Sequence, residues 1–453
     1  MKIGLWLQDH RNDTEKRFNE VMDIVSKSDV DLIVFPEAAY TPFNNLLKDD
    51  AEGCVIYNSQ HKWFDEVDKL SQKIGKPIIL SAWQPVPIED VDHPVDLYFS
   101  YYTNPNPIES DTVNQVYFKN TMTGLSPLGM EDYDKAIFIN WNPFRPIVLN
   151  GKKIGMTICY DCNHPIFSAL YGVQGVDIII NMTGGNVDYH KWYRYNQVRA
   201  MENECFSLVT MGYVEDKTVN SYVYGFDPDG VHMSFANLMD PSTDKLNLVD
   251  SVYVYDTENY EELSDLKPSE PSENKYQDLL VEVGNVSALL SKANKLNDNL
   301  FVLKQRNDNI VFVVCDGETV QIPEFVSALL YNEKLKYISN KKYIIVNRRD
   351  DLDDVDFLDL QLDPILRVRS MENYCAVILE SPIANRCYQT SMNRKSQVVK
   401  EIDGKFGIDL SRTTGPEAIW QNKAGMNGGW RNNYELLIDI CIEWASKMKD
   451  TKE

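Results

Sequence analysis

Lys153-Ile-Gly-Met-Thr-Ile-Cys-Tyr-Asp-Cys-Asn-His-Pro165 is an apolar run that stops at a cysteine and turns polar at once. Residues 154–158 read as a β-strand that is apolar on both faces, and such a strand needs cover on both sides. Helices packed against a sheet supply that cover, which makes the chain α/β. Strand ends in α/β sheets are where ligands bind. On this stretch alone Cys159 has two readings, a reactive thiol at a cleft or an inert buried one.

Two other strands end in a polar group. Leu32-Ile-Val-Phe-Pro36 is followed by Glu37, and Val113-Asn-Gln-Val-Tyr-Phe118 by Lys119. On spacing alone, Glu37 suits either a helix cap or a cleft. Residues 14–26 place Phe18, Val21, Met22 and Val25 on one helical face, and residues 61–74 do the same with Trp63, Val67, Leu70 and Ile74. Further strands are predicted at 3–7, 31–35, 77–83, 176–181 and 205–211, a helix at 191–203, and a hairpin around Asp227-Pro-Asp-Gly230. A two-sheet α/β sandwich accommodates them.

The chain has 453 residues, 45 Lys+Arg against 68 Asp+Glu, and a formal charge of -23. That length predicts two domains, or one with a large appendage. A hydrophobic fraction of 43% excludes a disordered chain. The acidity argues against nucleic acid as partner, because each phosphate contact needs local positive charge. No apolar run reaches membrane-spanning length and charge arrives by residue 9, so no membrane partner and a cytoplasmic location are expected. Eight scattered cysteines are too few for a disulfide scaffold and fit a reducing compartment.

Residues 258–282 are polar and carry two prolines, which marks a linker between a domain at 1–257 and another at 283–453. Strands are predicted at 301–303, 310–315 and 343–347, with a helix near 323–331. Arg199-Ala-Met-Glu-Asn-Glu-Cys205 and Arg369-Ser-Met-Glu-Asn-Tyr-Cys375 match at five of seven positions, 170 residues apart. Strands ending at Cys159 and Asn181 have apparent counterparts ending at Cys315 and Asn347, so a partial duplication is expected. The seven aspartates of segment 350–363 read as a solvated surface loop with apolar anchors.

Phe35-Pro-Glu37, Tyr117-Phe-Lys119, Gly155-x-x-x-Cys159-Tyr-Asp161 with Pro165, and Arg199-Ala-x-Glu-Asn203 occur in one order along the chain. Through them the chain resembles the nitrilase superfamily of carbon-nitrogen hydrolases over about residues 1–255, with a degenerate echo beyond. The resemblance implies a four-layer αββα sandwich with a C-terminal partial repeat. It also implies Glu37, Lys119 and Cys159 as catalytic triad and Glu131 as an additional pocket glutamate. Cys159-Tyr-Asp resembles amidase and carbamoylase branches rather than nitrile-hydrolysing ones. Relatives that bind a substrate carboxylate often carry a basic residue shortly after this motif, where this chain has Asn163 and His164.

The residue chemistry fits those roles. A carboxylate can take the thiol proton, and an ammonium with the Tyr160 backbone N–H can stabilise an oxyanion. Asp161 is expected to support the turn or to pair with Arg199, a buried helix cation for which Glu202 is the other candidate partner. Tyr40, Phe43, His164, Thr183, Asn186, Tyr189 and Trp192 are expected to line a substrate pocket. Neither His164 nor His190 has companions at metal-ligand spacing, and no glycine-rich phosphate cradle is present, so neither metal nor cofactor is expected. The expected function is hydrolysis of a non-peptide amide or carbamoyl C–N bond of a small molecule. The alternatives are a non-enzymatic scaffold or binding protein, and acyl transfer from the thioester. Family members pair through helices, so a homo-oligomer or a pseudo-dimer within the chain is expected.

Overall fold

A computed structural model describes residues 1–9, 14–48, 53–87, 94–121, 144–172, 174–185, 187, 189–213, 222–239, 249–265, 270–284, 291, 294–295, 300–304, 310–314, 341–347, 358–373, 376–381, 383–390 and 396–409. They fall into two compact units, Met1–Asp265 and Leu266–Lys423.

In the first unit the strands up to the first sheet's edge are β1 (Lys2–Trp6), β2 (Gln8–Asp9), β3 (Leu32–Val34), β4 (Ile78–Val86), β5 (Val95–Thr103) and β6 (Asn114–Phe118). They are followed by β7 (Ile147–Leu149), β8 (Lys152–Ile158), β9 (Ile178–Thr183), β10 (Phe206–Tyr213), β11 (Tyr224–Phe226), β12 (His232–Met233), β13 (Asn237–Met239), β14 (Val252–Asp256) and β15 (Glu262–Leu263). The helices are α1 (Glu15–Lys27), α2 (Lys62–Ile74), α3 (Pro165–Gly172) and α4 (Tyr189–Asn203).

Two mixed sheets form an α/β sandwich. The first has the order β13-β14-β1-β3-β4-β5-β6, the second β15-β12-β11-β10-β9-β8-β7, with β2 paired to β10. The central trios β1-β3-β4 and β8-β9-β10 are parallel. Hence their ends stack at one rim, where the connections must deliver functional residues.

Helix placement follows from the sequence. Thr14 caps α1 by accepting the Arg17 N–H at 3.2 Å, and Phe18, Val21, Met22 and Val25 are buried. His61 caps α2 through Nδ1, which accepts the Trp63 N–H at 3.1 Å, and Gly75 ends it at φ +67°. A left-handed cap of this kind favours glycine. Both stripes join the Trp6, Ile33 and Ile78 cluster of the first sheet, where a buried side chain of this size is worth about 1.5–3 kcal/mol. Helices α3 and α4 cover the second sheet. Thr210 of β10 donates to the Trp6 carbonyl of β1 at 2.8 Å, tying the sheets together.

The second unit holds β16 (Leu279–Glu282), β17 (Asn294–Lys295), β18 (Leu300–Lys304), β19 (Ile310–Val314), β20 (Lys341–Asn347), β21 (Ala376–Glu380), β22 (Arg386–Thr390), β23 (Ser396–Val399), β24 (Glu401–Ile402), β25 (Lys405–Ile408) and α5 (Asp363–Asn373). One sheet runs β17 through β23 in sequence order and another is β16-β25-β24. Residues 258–282, read from sequence as a polar linker, thus contain β15 at one end and β16 at the other. Position 315 and the helix expected at 323–331 lie outside the described residues.

Two features of the second half were not visible in the sequence. The backbone ladders pair Ile178 with Phe206 and Tyr343 with Ala376, each partner seven residues beyond the arginine of the repeated motif. Counted along these ladders, Asn181 of β9 and Val346 of β20 stand at the same position; an apolar run has no internal marker for a one-residue slip. The acidic segment is also more than a surface loop. Leu358–Leu362 is a wide helical turn with Leu358 and Leu362 fully buried, and it leads into α5, where Asp363 is buried. Residues 350–357 lie outside the described residues.

Candidate active site

Glu37, Lys119 and Cys159 come from the ends of β3, β6 and β8. Past β3, the Ala39 N–H donates to the Ser81 carbonyl at 3.0 Å, pinning the Glu37 segment to β4. Ala38 makes the turn at φ +55° and Cys159 at φ +45°. Left-handed backbone costs a residue with a side chain roughly 1–2 kcal/mol, so the surrounding bonds must hold both turns in place.

Lys119 Nζ lies 2.6 Å from Glu37 Oε1, and both side chains are buried. The other carboxylate oxygen accepts the Gly184 N–H at 3.0 Å. A Cβ at Gly184 would stand 3.0 Å from Glu37 Oε2, so glycine is what lets this backbone approach the acid. The Lys119 ammonium also sits 4.9 Å from the centre of the Tyr98 ring. Cys159 keeps partial exposure, and the Glu37 carboxylate and the Lys119 ammonium both act on its thiol.

The electrostatics are those of a protonated thiol beside an ion pair. Burial, and then the Glu37 carboxylate, push the Cys159 thiol well above its ordinary range. Burial opposes the charge on Lys119, but Glu37 and the Cys159 sulfur outweigh it and hold the ammonium above the usual lysine value. Burial lifts Asp161 to about 6. It lowers His164 to about 3, with Arg199 and Lys191 adding to the effect, so this imidazole is neutral.

Asp161 does not pair with Arg199. Its Oδ2 accepts the Ile158 N–H at 3.1 Å and the Tyr117 hydroxyl at 2.8 Å, while Oδ1 accepts the Asn120 N–H at 3.2 Å. Arg199 bonds the Cys162 carbonyl at 2.9 Å and Glu202 at 2.6 Å, because the i,i+3 glutamate shares its helix face. Both arrangements brace the cysteine turn, one from β6 and one from α4.

The residues expected around a pocket divide. Thr183 donates to Asn181 at 2.7 Å one residue before Gly184, and the Trp192 and His164 rings lie 6.2 and 5.6 Å from the Tyr160 ring. Phe43 instead packs edge-on against Trp63 at 6.3 Å, and the Tyr40 backbone is bracketed by Gln8, so both belong to the first sheet's core side. Glu131, Asn186 and the Tyr189 side chain lie outside the described residues.

Sequence reasoning missed Asn181, whose Nδ2 donates to the Cys159 carbonyl at 3.2 Å and to Thr157 Oγ1 at 3.0 Å. A polar residue ending the apolar run of β9 was the available signal. It also missed Lys191, buried with its ammonium 5.6 Å from the Tyr160 ring and 5.2 Å from the Trp192 ring. Among the described residues, no three His, Cys, Asp or Glu side chains group as a metal site. No described helix is long and apolar enough to cross a membrane.

A thiol at a strand end beside a buried Glu–Lys pair, on an α/β sandwich, describes a cysteine-dependent hydrolase. The carbon-nitrogen hydrolase family model matches residues 8–238, and the chain belongs to that family. Among solved structures it is similar to Saccharomyces cerevisiae Nit3, a member of branch 10 of the nitrilase superfamily, at 14% identity over 56% of this chain and 88% of that one, with a TM-score of 0.39. It is similar to an amidase from Nesterenkonia sp. at 14% identity over 58% and 90% of the two chains, TM-score 0.39. A carbon-nitrogen hydrolase from Helicobacter pylori G27 matches at 13% identity over 57% and 90%, TM-score 0.38.

Proposed function

We propose that the first unit hydrolyses a non-peptide amide or carbamoyl C–N bond of a small molecule through a thioester on Cys159. The observation that carries this reading is the buried Lys119–Glu37 pair at 2.6 Å, both members of which act electrostatically on the Cys159 thiol. A thiol pushed upward by burial is a poor nucleophile unless a base removes its proton during attack. Glu37 takes that proton as the S–C bond forms and the carbonyl π electrons move to oxygen. Lys119 and the Tyr160 N–H stabilise the oxyanion, a contribution of about 3–4 kcal/mol per donor to the barrier.

Protonated Glu37 then gives its proton to the departing nitrogen as the C–N bond breaks. The carboxylate so regenerated removes a proton from water as it attacks the thioester. Collapse expels the Cys159 sulfur, which recovers its proton from Glu37, and releases the acid. Asn181 and Asp161 hold the turn throughout.

The second unit we read as a degenerate partial copy without catalytic function. In support, β18 to β23 repeat the order and direction of β7 to β12, and α5 takes the place of α4. The ladders match Asn181 with Val346 and Thr157 with Val314, so the donor to the cysteine carbonyl is lost.

Intact-protein mass spectrometry with panels of small amides, carbamoyl compounds and nitriles tests the function. Wild type is expected to turn over an amide or carbamoyl compound or carry an acyl adduct on Cys159, with Cys159→Ala giving neither and Glu37→Gln trapping adduct or losing turnover. Product analysis separates hydrolysis from acyl transfer. A panel with no product and no adduct favours a scaffold instead.

A further inference from the structure

Asp161 lies where two of the three strand ends meet. One of its oxygens accepts from Ile158, the last residue of β8 and immediate neighbour of Cys159, and from Tyr117 of β6. The other accepts from Asn120, the immediate neighbour of Lys119. Asn120 closes the network by donating through Nδ2 to the Tyr117 hydroxyl at 3.1 Å and the Phe118 carbonyl at 2.9 Å. The side chain is fully removed from solvent.

We propose that Asp161 is a positioning residue whose ionised carboxylate fixes Lys119 relative to Cys159 and is required for the cysteine to react. The proposal rests on the catalytic reading above and adds to it what holds two of its members in place. All three contacts come from donors, so only a group with acceptors on both oxygens satisfies them. An amide must turn its NH₂ toward the Ile158 or Asn120 N–H and lose that bond, and a neutral acid must reverse or lose the Tyr117 bond. Displacing a reacting group by about 1 Å can cost on the order of 10²-fold in rate.

The carboxylate is faced by Lys119 and Tyr117 from β6, by Tyr171 from α3 and by Cys162 from its own turn. Burial is the largest influence and raises Asp161 to about 6, against which Lys119 and the Tyr117 hydroxyl pull downward. The clamp is therefore closed above pH 6 and opens as pH falls through it. Sign matters for stability as well. A carboxyl raised in the folded state binds protons more tightly there than when unfolded, so its ionisation costs stability as pH rises from 4 to 6.

The test follows the rate of Cys159 alkylation by iodoacetamide, located by peptide mass mapping, on the full chain between pH 5 and 9. Wild type should slow about tenfold from pH 7 to pH 5 through an inflection near 6. Asp161→Asn should lack that inflection and react at pH 7 more slowly than wild type at pH 5, where about a tenth of the carboxyl is still ionised. Tyr117→Phe removes a bond that lowers the carboxyl and should move the inflection to higher pH with the fold retained by circular dichroism. An unmoved inflection of equal amplitude in both variants overturns the proposal. A wild-type Cys159 unreactive at every pH removes the catalytic reading itself, and this inference with it.

Discussion

Strands β7 to β12 of the first unit and β18 to β23 of the second share order and direction, yet the helix covering each sheet is held by different chemistry. In the first unit Tyr193 of α4 meets Phe226 at 4.7 Å and Tyr224 at 5.8 Å between ring centres. At the corresponding positions, 170 residues on for the helix, stand Asp363, Tyr388 and Arg386. There Asp363 accepts from the Tyr388 hydroxyl, from Arg367 and, at 3.3 Å, from Arg386, while the Arg367 guanidinium lies 5.3 Å from the Tyr388 ring. Rings pack with broad tolerance, whereas a buried ion cluster holds only while each charge keeps its partner. One topology thus accepts either solution, but their weak points differ.

The largest expected effect comes from breaking the ionic solution. Asp363→Ala leaves the buried Arg367 guanidinium uncompensated and should destabilise the second unit by about 3–5 kcal/mol, read as a lowered urea midpoint of the full chain. A loss below about 1 kcal/mol would mean that the cluster is solvated like a surface pair.

Making the β7 to β12 sheet resemble the β18 to β23 sheet at its functional end is the next experiment. Asn181→Val installs the residue found at position 346 and removes the donor to the Cys159 carbonyl. Turnover should fall on the order of 10²-fold with KM nearly unchanged. Wild-type turnover in this variant would show that the cysteine turn holds itself.

The smallest effect sharpens the contrast. Tyr388→Phe removes a hydrogen bond to a buried carboxylate and should cost about 1.5–3 kcal/mol. Tyr193→Phe keeps its ring contacts and loses the bond to Asp265, which is partly exposed and also bonded to Arg194, so about 1 kcal/mol or less is expected. Equal losses would remove the distinction between the two sheets.

The site's three members were legible because each follows a short apolar strand, and a chain that leaves a parallel sheet must expose what comes next at the rim. Arg199 was legible as a buried cation, but its partner was not, since Glu202 on its own helix and Asp161 in the cysteine turn each offered a carboxylate. Strand β5 went unread. Both of its faces are largely buried, so Val95-Asp-Leu-Tyr-Phe-Ser-Tyr-Tyr-Thr103 lacks the alternation that marks a half-exposed strand. The two Arg-x-Met-Glu-Asn segments were legible too, whereas the strand pairings beyond them were not.

The amino-acid order alone determined which elements form and which reactive side chains stand at their ends, because apolar periodicity and caps act within a few residues. Which groups meet was decided only by the folded sandwich. Glu37 with Lys119, Asp161 between β6 and β8, and Val346 opposite the role of Asn181 depend on contacts between distant segments, and those follow from sheet register and burial rather than from spacing along the chain.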